Sequence, residues 1–160
     1  PDIDLIGGQY ICDIDKGTLL VFNENDTLEG VAYQLYAVMF CVPQISVLLD
    51  KISKEQKELV THFLAFWREH RDVLLNGKLS VRGHDVGYTM AQSTKDGESV
   101  AVLYNNVPYS VQNGTKTYLF NSSGYDGVIV MLDSDFEYEI YDVLGNKYAS
   151  GKLCSGVHMI

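Results

Sequence analysis

The period of the hydrophobic pattern changes near Gly77, and this change limits the chain to folds that join a helical part to a β-sheet part. Before Gly77, apolar residues recur about every three to four positions, as they do along one face of a helix. After Gly77, short segments alternate between apolar and polar residues, which is typical of half-buried strands. The chain of 160 residues is therefore expected to hold two different kinds of structure, with a boundary at residues 76–83.

The clearest predicted element is a long helix over residues 53–76. Ser53 and Gln56 have the spacing of a capping box, in which each side chain bonds to the backbone of the other residue. Apolar residues then recur at helical spacing, and Gly77 provides a C-terminal stop. The sequence therefore fixes both ends of this helix.

A shorter helix is predicted over residues 27–41, started by Asp26 and ended by Pro43. The apolar run at residues 44–49 lies between the two helices and shows no alternation. Such a run is typical of a parallel strand that is covered on both faces. Helix, buried strand and helix together are a fragment of an α/β architecture that cannot close a core by itself.

Short strands separated by turn sequences are predicted after the boundary. They are residues 88–93, 99–104, 117–121, 128–132, 136–141 and 148–153. The intervening turns contain Asp-Gly, Asn-Gly or Ser-Gly pairs, which favour the tight turns of hairpins. This pattern predicts an all-β antiparallel sandwich after the α/β fragment.

The net charge of −9 excludes several classes of function. No basic stripe is present that can release counterions from a nucleic acid or attract an anionic membrane surface. No apolar run approaches the roughly 18 residues that a membrane span requires. We therefore expect neither a nucleic-acid partner nor a membrane partner.

Metal-binding and disulfide patterns are absent from the spacing of the candidate ligands. The cysteines are Cys12, Cys41 and Cys154. Their odd number and unpaired spacing predict reduced thiols, in a cytoplasmic or otherwise non-disulfide setting. Two Asp-x-Asp pairs lie near the start of the chain: Asp2 with Asp4, and Asp13 with Asp15. Neither has the glycine and the distal glutamate of a calcium loop, so we expect no metal and no cofactor.

The long helix carries Phe63, Phe66 and Trp67 on one face. Such an aromatic stripe can line a sugar platform, but at helical spacing it more often packs into a core. We expect this stripe to face inward and to join the helical part to the sheet part, which keeps a core of its own. His62 and His70 lie on the same helix without a carboxylate at matching spacing, which favours a solvent-exposed or packing role.

Several longer segments resemble one known family. They are FCVPQISV at 40–47, FWREHR at 66–71, VLLNG at 73–77, NSSG at 121–124, YEIYDVLGNK at 138–147 and GVH at 156–158. These segments are similar to the last strand and helix of the catalytic barrel, and to the C-terminal sandwich, of glycoside hydrolase family 36. The resemblance spans most of residues 27–160. Its most specific parts are the long helix and the turn at 142–147.

This resemblance implies the end of a (β/α)8 barrel at residues 1–77 and a C-terminal β-sandwich at residues 78–160. It also implies removal of terminal α-linked galactose with retention of configuration, which needs two carboxylates about 5 to 5.5 Å apart. Pro1-Asp2 stands where some family members carry the general acid/base, so Asp2 is the candidate for that role. No segment matches the motif of the nucleophile. The resemblance therefore implies that this chain alone is inactive and that an N-terminal barrel portion completes the site.

The partners that follow from the resemblance are an α-galactoside oligosaccharide or glycoconjugate and the missing N-terminal barrel portion. For residues 1–77 of the isolated chain, we expect either self-association into a homo-oligomer or packing of these residues back onto the sandwich. An α-N-acetylgalactosaminidase is a close alternative within the same class of enzyme, and the compartment stays open between cytoplasm and periplasm. The alternative from another class is a non-catalytic β-sandwich module that binds carbohydrate or braces a partner.

Overall fold

The computed structural model describes residues 3–6, 9–12, 18–20, 22–83, 85 and 87–160. The helices are α1 (Leu28–Ala37) and α2 (Lys54–Asn76). The strands ahead of α2 are β1 (Ile3–Ile6), β2 (Gln9–Cys12), β3 (Thr18–Leu20) and β4 (Pro43–Ile45). The strands after α2 are β5 (Lys78–Arg82), β6 (Met90–Lys95), β7 (Glu98–Leu103), β8 (Tyr109–Val111), β9 (Lys116–Asn121), β10 (Ile129–Leu132), β11 (Phe136–Tyr141), β12 (Lys147–Leu153) and β13 (Gly156–Met159). The described part of the chain is thus rich in β-strands, with two helices in its first half.

Strands β3 and β4 are parallel, with Thr18 opposite Pro43, and α1 lies between them in the chain. Parallel neighbours need a crossover of this kind, because their ends lie at opposite edges of the sheet. The predicted parallel strand is therefore present, although it is shorter than residues 44–49. Its burial differs from the expectation: Ile45 packs against the core, whereas Gln44 and Ser46 are exposed. Within the described residues only one face of β4 is covered.

The two ends of α2 agree with the prediction to within one residue. The Ser53 hydroxyl accepts from the backbone N–H of Gln56, and the Gln56 side chain accepts from the backbone N–H of Ser53. These two bonds form the predicted capping box. Gly77 ends the helix, and its N–H donates to the carbonyl of Val73.

The start and the end of α1 both differ from the prediction. Its N-cap is Thr27, whose hydroxyl accepts from the N–H of Gly30 at 3.0 Å. Asp26, the predicted start, instead accepts from the N–H of Asn23 in the preceding loop. The helix stops at Ala37 because the next N–H, that of Val38, bonds three residues back, as in a tighter turn.

The strands after α2 form mixed sheets, so the prediction of a purely antiparallel sandwich is wrong. One sheet has the order β5-β6-β7-β9, another has the order β13-β10-β8, and β11 pairs with β12 alone. The pairs β7·β9 and β8·β10 are parallel. The reason is the path of the chain: it leaves β7, contributes β8 to the second sheet, and returns alongside β7 in the same direction.

The main hydrophobic core crosses the predicted boundary. It includes Leu35 of α1, Leu59 of α2, and Val100 and Val102 of β7. A second and smaller cluster consists of Met90, Ala101, Leu103 and Tyr109, and it joins the two larger sheets. The sheet part therefore keeps a small core of its own, as expected, but the inner face of β7 packs against the helices in the main core.

The aromatic stripe of α2 faces inward, as predicted. Phe63 is only 3% exposed. The Phe66 ring meets Tyr118 and Phe120 of β9 edge to face, with ring centroids 5.4 and 4.9 Å apart. These contacts join α2 to the four-stranded sheet, which is the docking that the sequence predicted. No helix in the described ranges is long and apolar enough to cross a membrane.

Candidate functional site

Asp2, the candidate general acid/base, lies outside the described residues. Within the described ranges, no group of three or more His, Cys, Asp or Glu side chains is arranged to hold a metal ion. In the part of the chain that the structure describes, two open cavities, one toward each end of α2, are candidates for a ligand site.

The larger cavity has a volume of about 590 Å³ and lies along the C-terminal half of α2. We call it the Trp67 groove, and it is lined by Val42, Trp67, Arg71, Asp72, Leu75 and Asn76. Trp67, Arg71 and Leu75 are four residues apart in turn, so the helix places them in one row. Asp72 and Asn76 form the adjacent row by the same spacing. One helix face therefore supplies most of the groove, and Val42, just before β4, supplies the rest.

A hydrogen bond fixes the orientation of the Trp67 ring. Its Nε1–H donates to the backbone carbonyl of Cys41 at 3.0 Å. Because this is the only polar atom of the indole, the rest of the ring is left to make apolar contacts. Trp67 is half-buried, packs against the core, and also lines the groove.

The two charged side chains of the groove, Asp72 and Arg71, differ in their hydrogen bonds and salt bridges. Asp72 accepts from Lys95 Nζ at 2.9 and 2.8 Å and from Asn76 Nδ2 at 2.8 Å. The bond from Lys95 is the main reason that the pKa of Asp72 lies below its ordinary value, so Asp72 is held as a carboxylate. Among the described residues, no hydrogen bond or salt bridge engages the Arg71 guanidinium. Among these described residues, the groove thus offers N–H donors of Arg71 that make no hydrogen bond, beside the ionised carboxylate of Asp72.

The second cavity, of about 510 Å³, lies between the N-terminal half of α2 and the turn that joins β11 to β12. Asp142 holds this turn, because its Oδ1 accepts from the N–H groups of Leu144 and Asn146, each at 2.9 Å. These bonds, led by the one from Asn146, lower the pKa of Asp142. Gly145 lies so close to α2 that an added Cβ would come within 2.5 Å of the His62 ring. This arrangement is a packing contact between a turn and a helix.

His70 is buried, which agrees with packing, one of the two roles expected for it. The side chain is 7% exposed, and its ring lies against Phe66 and Tyr118 with centroids 4.3 and 4.5 Å away. Its Nδ1 lies 2.6 Å from Oε1 of Glu98, at the start of β7. No local pattern indicates this carboxylate, because Glu98 is 28 positions away along the chain. The pair links α2 to the sheet.

The cysteines correct one expectation from the sequence. Cys41 is disulfide-bonded, so the expectation of reduced thiols is wrong for this residue. Cys154 is an exposed free thiol. An odd number of cysteines requires one thiol without an intramolecular partner, but it does not prevent the others from pairing.

Sequence reasoning placed Trp67 in the core and gave Arg71 and Asn76 no role. The signal that groups them is the four-residue spacing on α2, but nothing in the pattern shows that a cavity lies beside this row. No protein-family model, curated protein or solved structure matches the chain.

Proposed function

We propose that this chain is the C-terminal portion of a retaining glycoside hydrolase that acts on terminal α-galactosides. The observation that carries the proposal is the order β3, α1, β4, α2, with β3 parallel to β4, directly ahead of a β-rich part. Strands and helices alternate in this way around a (β/α)8 barrel. The segments that resemble family 36 fall on the same elements: residues 40–47 include β4, and residues 66–71 lie in α2.

The one-sided burial of β4 also supports this proposal. In a (β/α)8 barrel, helices cover the outer face of each strand, and the inner face meets side chains of the other strands. Around β4, Ile45 and Val47 pack against the main core, whereas Gln44 and Ser46 are exposed. The exposed face is where the remaining strands of the proposed barrel, from an N-terminal portion of a longer protein, are expected to lie.

The chemistry of retention assigns two roles. One carboxylate attacks the sugar and forms a glycosyl-enzyme, and the other first protonates the leaving group and then activates water. We assign the acid/base role to Asp2 and place the nucleophile on an earlier strand of the longer protein. A single carboxylate cannot carry out both displacements, so the 160-residue chain is expected to be inactive.

The test compares two proteins: this chain, and the longer protein that contains it. Both are assayed on an aryl α-galactoside, and the configuration of the first product is followed by NMR. We expect α-galactose as the first product of the longer protein and no turnover by the chain alone. Asp2→Asn in the longer protein should lower kcat by about 10² to 10⁴. Asp4→Asn, two positions away, is the matched control and should leave kcat within a few fold.

Two results would contradict the proposal. One is turnover by the chain alone that disappears in Asp2→Asn. The other is a longer protein that folds but leaves aryl α-galactosides intact. Sugar binding without hydrolysis by the longer protein would favour the non-catalytic module instead.

A further inference from the structure

We propose that the Trp67 groove binds a pyranose, at a site separate from the site of hydrolysis. The proposal rests on the proposed function only for the identity of the sugar, which we take to be a galactoside. That the groove binds a sugar ring follows from its lining residues.

The apolar part of the groove suits the ring of a sugar. A pyranose has one face of C–H groups, which stacks on an aromatic ring while the hydroxyls point to the side. Trp67 offers only apolar ring surface to a ligand, because its N–H already donates to Cys41. Val42 and Leu75 extend this apolar surface. The volume of about 590 Å³ lies within the range of roughly 300 to 1,000 Å³ that is usual for small-molecule sites.

The polar part of the groove suits hydroxyl groups, which need donors and acceptors together. Arg71 supplies N–H donors that, within the described chain, no hydrogen bond or salt bridge engages. Asn76 gives its Nδ2 to Asp72, which leaves its amide oxygen to accept. Asp72 adds carboxylate lone pairs beyond those bonded to Lys95.

The position of the groove separates it from the proposed catalytic site. Val42 immediately precedes β4, so the groove lies at the amino end of that strand. In (β/α)8 barrels the chemistry takes place at the carboxyl ends of the strands. A sugar in the groove is therefore held away from the reacting carboxylates, as an anchoring point for a longer saccharide.

The experiment titrates the 160-residue chain with methyl α-D-galactopyranoside and with melibiose. Trp67 is the only tryptophan, so its fluorescence reports the groove directly. We expect a saturable change in emission, matched by heat in calorimetry, and no saturable change with D-glucitol, an open-chain polyol that has no ring face. Arg71→Gln should weaken the affinity about tenfold through the loss of a charged donor. Arg68→Gln is the matched control, because Arg68 is exposed on the same helix but does not line the groove.

Each outcome decides the question. Three results would overturn the proposal. They are a change in Trp67 emission that does not saturate with the galactosides, an equal response to D-glucitol, and equal affinities of the two arginine variants. Circular dichroism of both variants checks that the fold is intact, and both changes are on exposed side chains. Binding in the groove together with a longer protein that has no hydrolase activity would refute the proposed function and keep this inference. Hydrolysis by the longer protein without binding in the groove would refute this inference and keep the proposed function.

Discussion

At the scale of single residues, Gln56 makes two hydrogen bonds that a sequence motif predicts and two that it does not. The capping box predicted the two bonds between Gln56 and Ser53, because both partners lie within one turn. The same side chain is 1% exposed, and its Nε2 donates to the carbonyls of Asn23 and Asp26, each at 2.9 Å. These acceptors are 33 and 30 positions away, so no local pattern indicates them. Gln56 therefore ties the start of α2 to the loop that precedes α1.

Replacing Gln56 with glutamate tests the value of these two long-range bonds. Gln56→Glu keeps the shape and one accepting oxygen, but it turns the donor toward Asn23 and Asp26 into a second acceptor. Two partly buried carbonyls then lose their partner, so we expect the free energy of unfolding to fall by about 2 to 4 kcal/mol. Urea denaturation followed by Trp67 fluorescence measures the change. Glu55→Gln, on an exposed neighbour, is the control and should stay within about 0.5 kcal/mol. Equal stability of Gln56→Glu and the parent would show that the bonds contribute little.

At the scale of elements, the sequence predicted what short-range chemistry determines. The ends of α2 follow from its caps, and each strand predicted after Gly77 begins and ends within two residues of an observed strand. The strand β8 (Tyr109–Val111) was missed because three residues beside Pro108 form a strand only through pairing with β10. The parallel pairing of β7 with β9 was missed for the same reason: partner and direction are set by the path of the chain. The Trp67 groove depends on several elements at once, so the sequence alone did not reveal it.

The docking of the β11–β12 turn on α2 leads to a prediction about Gly145. This residue has φ of +87°, and an added Cβ would lie 2.5 Å from the His62 ring. Gly114 has a similar φ of +74°, but its surroundings are open. Both changes to alanine should cost about 1 kcal/mol for the left-handed backbone. Gly145→Ala should cost about 1 to 2 kcal/mol more, because the turn or the histidine must move.

Thermal denaturation of four proteins separates these two effects. They are Gly114→Ala, Gly145→Ala, His62→Ala and the double variant of Gly145 and His62. The extra destabilisation of Gly145→Ala should disappear when His62 is already alanine. Equal losses of stability for Gly145→Ala and Gly114→Ala would mean that the turn is not in close contact with α2.

At the scale of the whole molecule, the change of period predicted the two kinds of structure but not how they share a core. The hydrophobic face of a helix shows that something covers it, yet it does not identify the partner. Here the partner of α2 includes the buried face of β7, with Val100 and Val102. The buried phenol of Tyr36 lies in the same core and meets Phe120 of β9, with centroids 5.0 Å apart.

Burial of Tyr36 predicts a loss of stability at high pH. Desolvation, with a smaller effect of the nearby Asp142 charge, raises the pKa of Tyr36 to about 12. A folded-state pKa above the unfolded value of about 10 means that the stabilisation is complete below pH 10 and is lost as the pH rises toward 12. For Tyr36 this loss amounts to roughly 3 kcal/mol. Burial also raises the pKa of Tyr104, which adds to the loss.

Urea midpoints at several pH values between 9 and 12 measure this effect. Tyr36→Phe keeps the ring contact with Phe120 and removes the titrating group, so its stability should fall less steeply across this range. Tyr33→Phe, on an exposed tyrosine of the same helix, should follow the parent. Parallel curves for Tyr36→Phe and the parent would show that Tyr36 does not titrate in this window.

A core that spans helices and sheet predicts that the described fold unfolds as one unit. Leu59 of α2 is 1% exposed and packs in the same cluster as Val100 of β7. Leu59→Ala should lower the free energy of unfolding by about 2 to 5 kcal/mol, through lost burial and the cavity that remains. Because Val100 and Val102 of β7 are buried in this same cluster, the backbone amides of β6 and β7 should lose hydrogen-exchange protection by the same free energy as those of α2. Leu79→Ala, on an exposed leucine of β5, is the control and should change protection little. If the amides of β6 and β7 kept the protection of the parent while α2 lost it, the sheet would be stable without the helices, and the two parts would be independent folding units.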